Sequence, residues 1–142
     1  MAIRFTNERL KWKRKGLDLG ETRFTIAFDF DGVLAQFNGW KGKDHFGEPV
    51  PGMRKYLTEL KAKGVGVIIY STRGAHEIEE WCKRYDMPFD YINCNPELHT
   101  QNMGKPIAHI YVDDRAICFH GDVDRLREEI ANFKPWSSTV EH

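Results

Sequence analysis

Asp29 and Asp31 stand one residue apart at the end of an apolar, β-favouring run, Phe24-Thr25-Ile26-Ala27-Phe28-Asp29-Phe30-Asp31-Gly32-Val33-Leu34. In an extended chain the side chains at i and i+2 point the same way, so the two carboxylates would be aimed into one small space. Gly32 lets the chain leave the strand through backbone angles that other residues avoid. Two like charges so close are costly unless a cation sits between them or one carboxyl keeps a proton. Either remedy is useful for chemistry. Two plainer readings compete. A calcium loop needs oxygen ligands at its fifth and twelfth positions, where Val33 and Trp40 stand instead. An ordinary polar turn after a strand would account for the stretch in isolation, but other parts of the chain carry matching groups.

Those groups follow buried-strand patterns. Val65–Tyr70 reads as a strand ending in Ser71-Thr72-Arg73-Gly74, and Ala108–Val112 as one ending in Asp113-Asp114, with Lys105 just ahead of it. Phe89–Asn93 reads as a short strand between them, and Ile117–Phe119 as a short fifth. Three segments have helical spacing. Gly52–Lys63 carries Met53, Tyr56, Leu57 and Leu60 and stops at Gly64. Ala75–Tyr85 carries Ile78, Trp81, Cys82 and Tyr85. Asp122–Phe133 carries Val123, Leu126, Ile130 and Phe133, with Asp122 placed to cap it. Val33–Pro51 has turn residues and no helical period, as in a short hairpin or flap beside the aspartates. The alternation predicts an α/β, three-layer Rossmann-like fold: a parallel sheet with helices on both faces. Ligands in such sheets gather beyond the carboxyl ends of the strands. There is no internal repeat and no Gly-rich dinucleotide fingerprint.

The 142 residues, 41% hydrophobic and 30% charged, are ordinary for one globular domain. We divide them into a basic N-terminal extension (1–22), an α/β domain (23–133) that holds the candidate site and a tail (134–142) expected to fray. No apolar run is long enough to span a bilayer, and the start lacks a secretory h-region. Cys82, Cys94 and Cys118 match no zinc spacing and suit a reducing, cytoplasmic setting as buried or half-buried thiols. Net charge is zero, but residues 1–23 hold seven Lys/Arg against three acids, a balance of +4 that leaves −4 for the remainder. Lys11-Trp12-Lys13-Arg14-Lys15 offers cations and one ring for a weak nucleic-acid contact, although a solvated face is the commoner origin of such a run.

A carboxylate can act as a nucleophile toward a phosphoryl group. The approach of two anions is unfavourable unless a divalent cation neutralises both, and Mg²⁺ is the hard, oxygen-seeking ion for that. A lysine and a hydroxyl donor can stabilise charge on the transferring group. A second acid can protonate the leaving oxygen and later take a proton from water. Every one of these residue types lies at, or just before, an expected strand end.

Asp29-Phe30-Asp31-Gly32-Val33, Ser71 after a buried strand, Lys105-Pro106 and Val112-Asp113-Asp114-Arg115 resemble, in order, the four motifs of the haloacid dehalogenase (HAD) superfamily over about residues 24–133. The resemblance implies Asp29 as nucleophile and Asp31 as general acid/base. It implies Ser71 and Lys105 as phosphate ligands, with Thr72 as the alternative to Ser71 or a helix N-cap. It also implies Asp113 as a Mg²⁺ ligand together with Asp29 and the Asp31 carbonyl, and Asp114 acting through a water or from behind the direct ligands. Dehalogenating members lack an acid two residues after the nucleophile, so Asp31 implies phosphoester hydrolysis by way of an aspartyl phosphate. A non-catalytic Mg²⁺/phosphate- or nucleic-acid-binding module on the same fold is the alternative.

Neither interval where such enzymes insert a cap domain is long enough here to fold one. An open site follows, as in the capless phosphatase-like subgroup. It suits a nucleotide, a nucleic-acid end or another bulky phosphorylated substrate, or is closed by a neighbouring copy in a homo-oligomer. Arg73, Arg115, Lys43 and His99 are candidates for substrate contacts, and Trp40 and Phe46 for contact with a leaving group. His109, inside a strand pattern, is expected to be packed.

Overall fold

The computed structural model describes residues 16–17, 19–20, 22–98 and 104–136. The basic run Lys11–Lys15, His99 and most of the expected terminal segments lie outside them. Strands β1 (Thr25–Asp29), β2 (Gly66–Tyr70), β3 (Tyr91–Ile92) and β4 (Ile110–Val112) form one sheet in the order β3-β2-β1-β4. Every pairing is parallel. Helices α1 (Met53–Ala62) and α2 (Ala75–Arg84) link the first three strands, and α3 (Val123–Ala131) follows β4. The α/β parallel architecture is the one the alternation predicts.

Register places the chemistry. Asp29 lies level with Tyr70, and Phe28 level with Val112. The residues that follow β2 and β4, Ser71 and Asp113, therefore emerge beside Asp29 at the carboxyl edge.

Strand alternation divides the core. Phe24, Ile26, Phe28 and Phe30 from the β1 region join Val67 and Ile69 of β2 against Leu57 and Leu60 of α1 and Ile78, Trp81 and Cys82 of α2. Tyr56, expected in the α1 stripe, is instead exposed. The opposite face is smaller: Ala27 and Ile68 are buried with Ala108, flanked by Tyr70 and Tyr91. The crossing from β3 to β4 is anchored by an ion pair and hydrogen bonds. Arg23 pairs with Glu97 at 2.8 Å, Asn95 Nδ2 donates to the Ile107 carbonyl at 2.7 Å, and the Thr25 N–H donates to His109 Nδ1 at 3.0 Å. His109 is thus packed, its ring 4.5 Å from that of Phe24.

Several expectations are corrected. Ile117–Phe119 forms no strand: the five residues between the turn at Asp114–Arg115 and the bend at Gly121 pair with no neighbour in the sheet. β3 is shorter than Phe89–Asn93: it starts only at Tyr91, and it ends at Ile92 because Asn93, at φ 58°, turns out of the sheet. α3 begins on its expected cap, with Asp122 Oδ1 accepting from the Asp124 and Arg125 N–H groups. Its apolar stripe, however, buries no side chain among the described residues, and Val123 and Ile130 are exposed. The tail is not wholly free either, since Trp136 Nε1 donates to the Gly32 carbonyl at 2.8 Å. Of the cysteines Cys82 is buried, and burial pushes its thiol up to about 12; Cys94 and Cys118 are exposed rather than half-buried.

The flap is pinned at its base. The Gln36 N–H donates to the Glu48 carbonyl and the Val50 N–H to that of Leu34, each at 2.8 Å. Trp81 Nε1 donates to the Gly47 carbonyl at 2.9 Å, while its ring meets Phe30 edge-on at 4.8 Å. A methyl group at Gly47 would overlap the Gln36 carbonyl oxygen. Backbone cannot yield there as a flexible side chain would, so Gly47→Ala is expected to destabilise the fold by about 1–3 kcal/mol. A urea midpoint unchanged from the wild type would contradict this.

Candidate active site

Asp29, Asp31, Ser71, Thr72, Asp113 and Asp114 line one cavity of about 390 Å³ at the carboxyl edge, with Phe37, Trp40, Tyr70, Asn93, Gly104 and Arg115 completing its wall. Asp29 is fixed by the Phe30 N–H, which donates to its Oδ1 at 2.8 Å and leaves Oδ2 for other work. Asp113 accepts from the Tyr70 hydroxyl at Oδ2 and from the Arg115 N–H at Oδ1, both at 2.8 Å. These bonds orient it without exhausting its lone pairs. Oxygens of Asp29, Asp113 and Asp114 all lie within 4.8 Å of one another.

The electrostatics are those of a site short of positive charge. Both Asp114 oxygens are buried without a hydrogen-bond partner, as is Asp31 Oδ1. Burial, a carboxyl–carboxyl contact with Asp114 and the charge of Asp113 push Asp29 up to about 7. A proton shared between Asp29 and Asp114 is one way to relieve that cluster; a cation is the other. Burial and the bond to Asp113 also hold the Tyr70 phenol well above its usual range, so it remains a donor. The donor set is all hard oxygen, which matches Mg²⁺ rather than a soft metal. Asp114 belongs to this oxygen cluster directly, not only from behind it. The Asp31 carboxylate does not belong to the cluster: its Oδ2 accepts from Arg73 Nε at 2.7 Å.

Gly32 makes the convergence feasible. Its φ of 83° suits glycine, and a Cβ there would run into the Asp114 carboxylate. The Asp-x-Asp-Gly turn therefore provides the space that Asp114 occupies.

Ser71 is well placed to donate. Its Oγ accepts from the Arg73 N–H at 3.1 Å, which leaves the hydroxyl hydrogen for a ligand. Its own N–H is held by Asn93 Oδ1 at 2.8 Å. Thr72 also lines the cavity but is exposed, and it is not the helix cap: Gly74 holds that position, with no side-chain bond. Lys105 is not brought in. It is exposed and absent from the cavity wall, and its Nζ lies 4.2 Å from the centroid of the Tyr111 ring. Tyr111 is itself tied down, its hydroxyl donating to the Pro106 carbonyl at 2.8 Å.

Two residues gain a part that spacing did not assign. Asn93 reads from sequence as the end of a strand; an asparagine just past a strand, a type that tolerates the left-handed conformation, is the available signal. Arg73 is a candidate substrate contact by its place after β2. It is instead buried against Asp31, its Nη1 donating to the Lys43 carbonyl at 3.0 Å.

No family model matches this chain, and no curated protein does. Among solved structures it is similar to a conserved protein coded by a locus of Bacteroides thetaiotaomicron. The two are 26% identical over 85% of this chain and 100% of that one, with a TM-score of 0.55. The likeness extends the α/β arrangement to that protein. Among the described residues no helix is long and apolar enough to cross a membrane.

Proposed function

We propose that the chain is a Mg²⁺-dependent phosphatase of the HAD type, working through an aspartyl phosphate on Asp29. The observation that carries the reading is the meeting of Asp29, Asp113 and Asp114 within 4.8 Å, with both oxygens of Asp114 buried and lacking a donor. These three carboxylates would hold the ion. When bound, Mg²⁺ supplies charge neutralisation for an anionic phosphate approaching an anionic nucleophile.

The chain's own groups do the rest. Asp29 Oδ2 attacks phosphorus, and the bond to the leaving oxygen breaks. Ser71 donates to a phosphoryl oxygen from a hydroxyl whose acceptor side is already filled by the Arg73 N–H. Asp31 gives its proton to the leaving oxygen, then takes one from the water that opens the acyl phosphate and restores Asp29. With Oδ2 held by Arg73, the buried and unpartnered Oδ1 is the oxygen that moves this proton. The open cavity suits a nucleotide, a nucleic-acid end or another bulky phosphorylated substrate.

A second reading, a Mg²⁺/phosphate-binding module without turnover, draws on one observation: Lys105 lies over Tyr111 rather than in the cavity wall. One experiment separates the two. The phosphatase reading expects phosphate release from p-nitrophenyl phosphate with Mg²⁺, lost on chelation and regained when the ion is restored. Tight phosphate binding with no release from that ester or from a panel of phosphorylated metabolites would favour the module.

A further inference from the structure

Trp40 is 64% exposed, yet it forms part of the cavity wall. A tryptophan serving only to pack would be far less exposed than this. Its ring is nonetheless held. The Arg73 guanidinium carbon lies 4.9 Å from the Trp40 centroid and 4.4 Å from that of Phe46, so one cation is stacked against two flap rings. Arg73 itself is only 8% exposed and is fixed at its other edges by Asp31 Oδ2 and the Lys43 carbonyl. The exposed ring therefore rests on a buried pillar whose foot is Asp31.

That pillar says which side of the substrate Trp40 faces. An acid that protonates a leaving oxygen must lie beside it, on the side of phosphorus away from the nucleophile. A ring stacked on the arginine that binds that acid borders the leaving group, not the transferring phosphoryl group. We propose that Trp40 is a stacking platform for a planar leaving group, namely a nucleoside whose phosphate reaches the aspartates. The proposal rests on the role given above to Asp31 as the acid, and it adds the chemical class of the leaving group. Stacking tolerates any base, since each presents a π-face. A cavity of about 390 Å³ has room for such a ligand, being within the range of roughly 300–1,000 Å³ usual for small-molecule sites.

The test is equilibrium binding by calorimetry to the full chain with Mg²⁺, made in Asp29→Asn so that no probe is hydrolysed during the titration. The probes are the 5′-monophosphates of adenosine, guanosine, cytidine and uridine, with glycerol phosphate and inorganic phosphate as ligands without a base. With Trp40 in place the chain should bind at least one nucleotide more tightly than glycerol phosphate. Trp40→Ala should weaken that nucleotide roughly 10- to 100-fold and leave inorganic phosphate unchanged, and Trp40→Phe should recover most of the loss. A 5′-phosphorylated oligonucleotide distinguishes the two sources of the same chemistry. Tighter binding than the mononucleotide, with the same Trp40→Ala loss, assigns a strand end; equal or weaker binding assigns a free nucleotide. Nucleotides binding no better than glycerol phosphate, or an equal loss for nucleotide and inorganic phosphate in Trp40→Ala, overturns the platform. The phosphatase reading fails separately, through absence of phosphate release from a chain that still binds nucleotide through Trp40.

Discussion

Asp29→Asn is expected to release no measurable phosphate from p-nitrophenyl phosphate at any pH, while folding at least as stably as the wild type without metal. The amide keeps the volume of the carboxyl and its oxygen can still accept from the Phe30 N–H, so the turn after β1 is not disturbed. Its neutrality removes one charge from a cluster in which Asp113 and Asp114 already repel Asp29. What disappears is the proposed nucleophile. Asp31→Asn should behave differently, because it removes proton transfer while leaving the attacking oxygen intact. A fall of roughly 10²–10⁴-fold in kcat is expected for it. The loss should be smaller for p-nitrophenyl phosphate than for an alkyl ester, whose leaving oxygen needs the proton more. A phosphoryl group retained on Asp31→Asn in intact-mass spectra, and absent from Asp29→Asn, would place the covalent step on Asp29. Turnover by Asp29→Asn comparable to the wild type would end the proposed mechanism.

The parts of this site that were legible in sequence share one property: their position follows from a local rule. Asp29 and Asp31 sit at the end of a run whose pattern already says strand, and alternation alone puts them on one side. Ser71 and Asp113 come next to them because parallel register sets strand ends level, as the pairings of Asp29 with Tyr70 and of Phe28 with Val112 show. The Asp122 cap is equally local. What could not be read depended on side chains crossing long stretches of chain. Arg73 reads as a candidate substrate contact, and only the fold reveals that its charge is spent on Asp31, 42 residues earlier. Lys105 has the right neighbours in sequence but turns to Tyr111, since nothing in a Lys-Pro pair fixes where a flexible stem points. The α3 stripe is a correct reading of amphipathicity that says nothing about a partner, and the described fold supplies none that buries it. Tyr56 fails for a related reason: helical spacing names a face, but the width of that face is set by the sheet beneath it.

Stability measured against pH, with and without Mg²⁺, gives a second large effect whose sign is fixed by the carboxylate cluster. In the metal-free protein burial and the neighbouring carboxyls of Asp114 and Asp113 push Asp29 up to about 7, whereas in the unfolded chain an aspartate titrates at about 3.9. Between those values the folded state binds more protons than the unfolded state, so metal-free stability falls as pH rises from about 4 through about 7. This is the reverse of the usual behaviour of an ion-paired aspartate. Mg²⁺ must displace the proton to use the carboxylate, so its affinity rises over the same interval. Thermal unfolding should therefore show a Mg²⁺-induced shift that is small near about pH 5 and largest near about pH 8. At a concentration of about 100 times Kd the gain is about 2.7 kcal/mol, or roughly 5–10 °C for a domain near this size. Asp114→Asn should lose most of the Mg²⁺ shift and flatten the metal-free slope together, because the same carboxyl contributes both to the ion's ligand set and to the displacement of Asp29. Phosphatase activity does not enter this measurement, so it tests the cation site by itself. A Tm at about pH 8 that Mg²⁺ leaves unmoved, or a shift that survives unchanged in Asp114→Asn, would mean that the three carboxylates meet for some other reason.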